Sequence, residues 1–257
     1  MSARPLALVT GGRRRLGAAI AARLATAGYN LALHGREAGG ELDAALAAAI
    51  RAGGARAEDL TADLADGAAA EALPGEASAR FGRPVALLVN SASAFAWDTP
   101  ADATMRGLLD HYAANAAAPT LLARAVARQR APGACVVNIL DQRVAQPIAD
   151  QFSYTMSKVA LAEMTPVLAR FFAPGLRVNA VAPGLTIPTP DYSPGQLGRL
   201  AARMPLRALP RPEEVAEAVL FLARAGAVTG QVIFVDGGAH LERWEADFVR
   251  LERDARD

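Results

Sequence analysis

At 257 residues the chain has the length of one large α/β domain, and 52% hydrophobic residues supply the material for a substantial core. A net charge of +1 provides no global basic field for nucleic acid or an anionic membrane. A single cysteine, Cys135, excludes an internal disulfide framework, and no apolar run approaches the ~18 residues that a membrane span needs.

Met1-Ser2-Ala3-Arg4-Pro5 carries no charged-then-apolar leader, so the expectation is a soluble, cytoplasmic protein. Leu6–Thr10 reads as a strand, Leu16–Ala27 as a helix, Asn30–Leu33 as a strand and Leu42–Ala52 as a helix. Strand-like runs recur at Val85–Asn90, Cys135–Leu140, Val178–Ala182 and Gln231–Val235. Helical patterns separate them at Met105–Arg130, Tyr154–Phe172 and Glu213–Ala225. Apolar strands separated by helices predict βαβ units in a parallel sheet covered on both faces. The expected fold is a single doubly wound Rossmann-type domain over residues 1–241, with about seven strands. Cys135 falls in an apolar run, where a buried, inert thiol is expected. Pro166 inside a predicted helix should kink it or disturb one turn.

Two regions depart from this alternation. Leu185–Leu209 carries four prolines and reads as an irregular lobe between the last two strands, of the kind that forms lids and binding loops. The charged tail over 242–257 places Trp244, Phe248 and Leu251 at roughly helical spacing. It reads as a solvated terminal helix or as a segment that docks on a neighbouring subunit.

Thr10-Gly11-Gly12-Arg13-Arg14-Arg15-Leu16-Gly17 joins the first strand to the first helix. The glycines permit a tight turn and close helix packing, the helix N-terminus offers free N–H groups, and the arginines suit a polyanion. At the end of the second strand an NAD site usually places an acid for the ribose 2′-hydroxyl. Here His34-Gly35-Arg36 stands instead, and His34, Arg36 and Arg14 could surround a 2′-phosphate, which favours NADP, although Glu37 follows directly.

The only lysine among 27 basic residues, Lys158, lies four residues after Tyr154. On a helix the two share a face. An ammonium there would favour phenolate and bring the tyrosine toward neutrality, making a usable proton donor and acceptor. An exposed helix with an incidental Tyr and Lys is the competing reading. His111 and His240 read as structural, and no ligand-spaced cluster suggests a metal.

Taken together, these motifs resemble the short-chain dehydrogenase/reductase family over nearly the whole chain. Thr10-Gly11 through Gly17, with Leu16, is similar to its cofactor turn. Asp63-Leu64 resembles its adenine-contacting pair, and Asn90-Ser91-Ala92-Ser93 its stretch after the fourth strand. Asn115 matches the helix asparagine that orders a water near the lysine. Tyr154 and Lys158 match the catalytic pair, Pro183-Gly184 the turn beside the nicotinamide, and Asp236-Gly237-Gly238 the motif after the last strand. Arg15 replaces the turn's middle glycine, Asp141 replaces the family's serine thirteen residues before Tyr154, and Ser93 precedes Ala94 and Phe95. This combination resembles the pteridine reductases and the related dihydropterin and dihydrofolate reductases.

The resemblance implies an NADPH-dependent reductase in which Tyr154, assisted by Lys158 and Asp141, gives the proton. Phe95 would stack on a pterin, Arg15 and Ser93 would contact it, and Lys158 would also hold the nicotinamide ribose. Thr186 would lie near the carboxamide or phosphates, with Tyr192 and the lobe as a lid and Trp97 at the cleft. Asp141 read alone is also a plausible loop cap, and Phe95 a core aromatic. A carbonyl or alcohol oxidoreductase of the same family is the alternative, and a non-catalytic NADP-binding protein a further one. A homotetramer is implied by resemblance only.

Overall fold

The apolar runs assemble into one fully parallel sheet in the computed structural model, which describes residues 4–39 and 41–253. Its strands are β1 (Leu6–Thr10), β2 (Asn30–Gly35), β3 (Ala57–Thr61), β4 (Val85–Asn90), β5 (Cys135–Ile139), β6 (Arg177–Pro183) and β7 (Val232–Val235). Their order is β3-β2-β1-β4-β5-β6-β7. The order reverses between β1 and β4, so a crevice opens there at the carboxyl ends of the strands, where such sheets bind ligands.

Alternation along each strand feeds both faces. Leu6 and Leu8 of β1, with Leu88, Val136 and Val178, bury against α3 (Gly67–Phe81), α5 (Ala118–Arg128) and α6 (Phe152–Phe172). Ala7 and Val9, with Leu31, Leu33, Val89 and Val137, bury against α1 (Arg15–Thr26), α2 (Ala44–Gly53) and α8 (Pro212–Arg224). Near-continuous apolar strands therefore reflect burial on two sides.

Several elements differ from expectation. The strand β3 carries only one buried residue, Leu60, because it forms the sheet edge. The helix α3 contains Gly67, Pro74 and Gly75, which blur its apolar periodicity. The stretch read as one helix over Met105–Arg130 is α4 (Met105–Tyr112) and α5 joined by a π-helical turn at Ala113–Ala117. The lobe is not wholly irregular, since it contains α7 (Pro194–Arg203), capped by Ser193. The helix α6 runs through Pro166 without interruption.

The tail is not a solvated helix. Residues 242–253 form turns, and Trp244, Phe248 and Leu251 pack with Leu200 and Met204 of α7 in a separate apolar cluster. Residues 254–257, like the first three, lie outside the described residues. Among the described residues no helix is long and apolar enough to cross a membrane.

One side chain closes the crevice floor. Thr10 is buried, and its Oγ1 accepts from the backbone N–H groups of Ser91 and Ala92, both at 3.0 Å. This couples the turn after β1 to the loop after β4. Thr10→Val, which keeps the shape and loses the acceptor, should cost about 1–3 kcal/mol in urea unfolding and speed amide exchange at Ser91 and Ala92. Unchanged exchange there would show that the hydroxyl does not hold the loop.

Candidate active site

The helix α1 starts almost on top of the β1 turn. A Cβ at Gly17 would lie 2.1 Å from the Gly11 carbonyl oxygen, so only glycine permits this approach. The result is a set of open N–H groups at a helix N-terminus, lined by Gly11, Arg14, Leu16 and Gly17, on a cleft of about 1810 Å³. That volume exceeds the usual range for one small ligand, about 300–1,000 Å³, and can take a dinucleotide and a second molecule. Arg15 has φ +53°, the left-handed region that a glycine would hold more readily, and its guanidinium donates across the cleft to Ile187 O at 3.3 Å.

His34 does not offer a cation to this cleft. Its Nδ1 accepts from Gly11 N at 3.4 Å and its Nε2 donates to Ala62 O at 3.0 Å. Burial lowers its pKa, so the ring is neutral and pins the turn to the loop after β3. Arg36 is exposed, with Glu37 3.9 Å away, and remains free to turn into the cleft beside Arg14. Arg13, the inner arginine of the three, is buried, donates to Glu37 O at 3.2 Å and braces the same loop.

Asp63, Leu64, Ser91, Ala92 and Ser93 line the middle of the cleft, and Pro183, Gly184 and Thr186 line its far side. Asn90 does not. Its Nδ2 donates to Asn138 Oδ1 at 2.8 Å, and Asn138 in turn donates to Thr165 Oγ1 at 3.0 Å, so the side chain lies in a buried polar relay beneath the sheet. Asn115 also stands behind the wall. Set in the π-helical turn, it accepts from Ala94 N at 2.7 Å and donates to Ala94 O and Ser157 Oγ, both at 2.9 Å. It ties the Ser93–Phe95 loop to α6. His111 anchors the same loop, accepting from Ala96 N at 3.1 Å and donating to Gly107 O at 2.7 Å.

Tyr154 and Lys158 lie on the sheet-facing stripe of α6, continued by Leu161, Thr165 and Leu168, so the pair is buried at the cleft and not an incidental surface pair. Asp98 caps this helix, accepting from Ser153 N at 3.0 Å and from Ser153 Oγ. The Tyr154 hydroxyl donates to Asp141 Oδ2 at 3.0 Å, and the ring meets Phe95 edge-on at 4.8 Å. Phe95 is 58% exposed, a ring standing in the cleft and not in the core.

The electrostatics reverse one expectation. Burial first, and the Asp141 charge second, push the Tyr154 phenol well above its usual range, with Arg143 as the opposing cation. The Lys158 ammonium donates to Ile139 O at 2.8 Å and stands 5.8 Å from the phenol ring centroid. Burial brings its own pKa down to about 8, against the pull of Asp141. Desolvation and a touching carboxylate outweigh an ammonium at that range, so the phenol is a neutral acid in this state.

Arg143, Gln151 and Asp247 complete this end of the cleft. None was legible in the sequence, because Asp247 belongs to the tail and reaches Arg143 over 104 residues. Among the described residues no group of three His, Cys, Asp or Glu side chains is placed to hold a metal ion. Cys135 is buried and its thiol pushed up to about 11 by desolvation, so it is inert.

A family model described as enoyl-(acyl carrier protein) reductase matches residues 12–240. The crystal structure of FolM alternative dihydrofolate reductase 1 from Brucella canis, complexed with NADP, superposes with a TM-score of 0.84. It is 37% identical, covering 96% of this chain and 98% of that one. Pteridine reductase 1 of Leishmania tarentolae is 33% identical over 93% of this chain and 97% of its own length. The 3-oxoacyl-[acyl-carrier-protein] reductase FabG of Staphylococcus epidermidis is 30% identical over 91% and 98%.

The Asp141 charge raises the Tyr154 phenol, so Asp141→Asn should make phenolate appear at lower pH. Absorbance at 295 nm, with Tyr154→Phe as the blank, measures this. An unmoved titration would mean that the two groups are not coupled.

Proposed function

The chain belongs to the short-chain dehydrogenase/reductase family and is an oxidoreductase; on that premise we propose that it reduces a pterin-type substrate, a dihydropterin or a dihydrofolate, with NADPH. The observation that carries this reading is the Asp141 carboxylate, in the family's serine position, holding the Tyr154 hydroxyl at 3.0 Å. A serine hydroxyl suits a carbonyl oxygen, to which it can donate. A carboxylate accepts, and suits a heterocycle rich in N–H groups.

The cleft fits the cofactor. The Gly11–Gly17 turn leaves the α1 N-terminus open to a pyrophosphate, and Arg14 and Arg36 are the cations within reach of a 2′-phosphate. Asp63 and Leu64 would border the adenine end, while Ser91, Ala92, Pro183, Gly184 and Thr186 would border the nicotinamide end. NADPH supplies the hydride. Lys158 would hold the nicotinamide ribose hydroxyls with the two donors that its bond to Ile139 leaves free.

The protein supplies orientation and the proton. Phe95 presents an exposed ring beside Tyr154, against which a flat pterin stacks. Arg15, bridging to Ile187, and Ser93 close the substrate's edges. Asp141 accepts from ring N–H groups, and the neutral Tyr154 phenol turns from Asp141 to give its proton to the ring nitrogen of the reduced C=N bond. Solvent returns that proton through the couple. Asn115 acts by holding the Ser93–Phe95 loop in place.

The FabG relative supports the ketone alternative, and assay separates the two. NADPH oxidation should proceed with dihydrobiopterin, dihydromonapterin or dihydrofolate and be much slower with a ketone panel; turnover of ketones alone would reject the pterin substrate. Tyr154→Phe should lower kcat by about 100-fold or more while NADPH still binds. Unchanged turnover would contradict the enzyme reading.

A homotetramer is part of this proposal, with Met105 and Leu109 of α4 and Val167 and Phe171 of α6 as exposed apolar surface for it.

Lys158 is protonated below about pH 8 and neutral above it in the free protein. NADPH affinity, followed by its fluorescence, should therefore be flat at lower pH and weaken as pH rises through 8. Lys158→Met should flatten that dependence; a slope that survives in the variant would exclude the ammonium as its source.

A further inference from the structure

One largely buried cation at the cleft has no part in the mechanism above. Arg143 follows Asp141 by two residues in the 3-10 turn after β5, and its side chain is 13% exposed. Its guanidinium meets groups from three separate parts of the chain. Nη2 pairs with Asp247 Oδ2 from the C-terminal segment. Nη1 donates to Gln151 Oε1 at the start of α6. Nε lies 3.6 Å from Asp141 Oδ1, and the guanidinium carbon 5.7 Å from the Tyr154 ring centroid. The Arg143 backbone N–H also donates to Asp141 Oδ1 at 3.0 Å. Asp141 is thus held at one oxygen by Arg143 and at the other by Tyr154.

The C-terminal segment holds the guanidinium in turn. Asp247 is 3% exposed; its Oδ1 accepts from Val249 N at 2.8 Å, and its backbone N–H donates to Asp150 Oδ2 at 2.9 Å. Arg250 pairs with Asp150 at 3.0 Å and covers the Trp97 ring at 4.4 Å. Two independent anchors therefore place Asp247, one polar through Asp150 and one apolar through Phe248 and Leu251 on α7.

A guanidinium shared by a buried carboxylate and a partly buried one is a demanding arrangement. Without it the carboxylates are like charges at close range with no cation between them. Such a site orients its members far more narrowly than a surface ion pair would.

We propose that Arg143 is a positioning residue for proton transfer, and that the C-terminal segment belongs to the active site because Asp247 holds the guanidinium that sets Asp141 against Tyr154. The proposal rests on the reading of Tyr154 and Asp141 as the proton-donating couple. The charged and titratable groups that face Arg143 or Asp141 are Tyr154 and Lys158 from α6, Tyr192 from the lobe and Asp247 from the segment; Asp191 acts on Tyr192, Asp150 on Asp247, and Arg250 on Asp150 in turn. Removing the guanidinium leaves the acidic members in excess, so the cluster binds protons at higher pH.

The test uses the full chain and three variants, Arg143→Met, Arg143→Lys and Asp247→Asn, assayed on whichever substrate the unaltered protein reduces fastest. Arg143→Met should lower kcat about tenfold or more and move the acid limb of kcat/KM up by about one pH unit, leaving the NADPH Kd unchanged. Arg143→Lys should restore the limb in part. Asp247→Asn, a neutral isostere that is expected to fold, takes one acidic member out of the cluster, so it should lower kcat while moving the limb down, opposite to Arg143→Met. Combined with Arg143→Met it should add no further loss.

A second readout needs no turnover. Uncompensated carboxylates are relieved by protonation, so the Tm deficit of Arg143→Met should shrink as pH falls from 8 to 5. Trypsin should also release the segment faster from Asp247→Asn. A deficit independent of pH together with an unmoved pH profile in Asp247→Asn would overturn the proposal and leave Arg143 as a packing clamp. Ketone-only turnover by the unaltered protein would reject the pterin substrate and leave both readouts in place; its complete inactivity would reject the reductase reading, and the Tm deficit alone would then decide between the ion cluster and a packing clamp.

Discussion

A phenol and a carboxylate face each other across one hydrogen bond at the end of this cleft, and most of the surrounding structure serves to keep them there. Tyr154 can hold its position because α6 is capped from outside by Asp98 and seated on the sheet by Leu161, Thr165 and Leu168. Asp141 can hold its position because β5 ends in a 3-10 turn that Asp141 itself caps through the Arg143 N–H. Neither element is short of contacts, so the 3.0 Å separation is set by two rigid bodies rather than by flexible side chains. Buried together, the two groups disfavour a phenolate, which makes Tyr154 a reservoir for one proton.

The other half of the cleft depends on backbone. Gly17 brings α1 onto the β1 turn, Thr10 joins that turn to the loop after β4, and the neutral His34 joins it to the loop after β3. The open N-terminus of α1 is therefore a product of crowding that a side chain at Gly17 would prevent. The arginines at its rim, Arg14 and Arg36, stay exposed. A fixed neutral floor with movable charges at the edge suits a ligand that must enter and leave.

The sequence showed what is local. β1 and β4 are short apolar runs between clear breakers, and both are found with the boundaries read from them. The turn glycines, Tyr154, Lys158 and Asp141 have fixed spacings and were equally visible. What escaped is either weakly patterned or distant. β3 has a single buried residue, and α3 hides its stripe among Gly67, Pro74 and Gly75. Asn90 carries the right motif position but sends its amide beneath the sheet, because strand alternation decides the face. The relation between Lys158 and Tyr154 was read from charge alone, and burial reverses its outcome. Arg143 could not be found at all, since its partners come from Gln151 and Asp247 and only the fold brings them together.

The most direct measurement is a double-mutant cycle on single-turnover hydride transfer to a dihydropterin, using Tyr154→Phe, Asp141→Asn and the pair. If phenol and carboxylate act as one proton-delivering unit, the double variant will be no slower than the slower single one. Additive losses, with each change slowing transfer by its own full factor, would contradict a shared role.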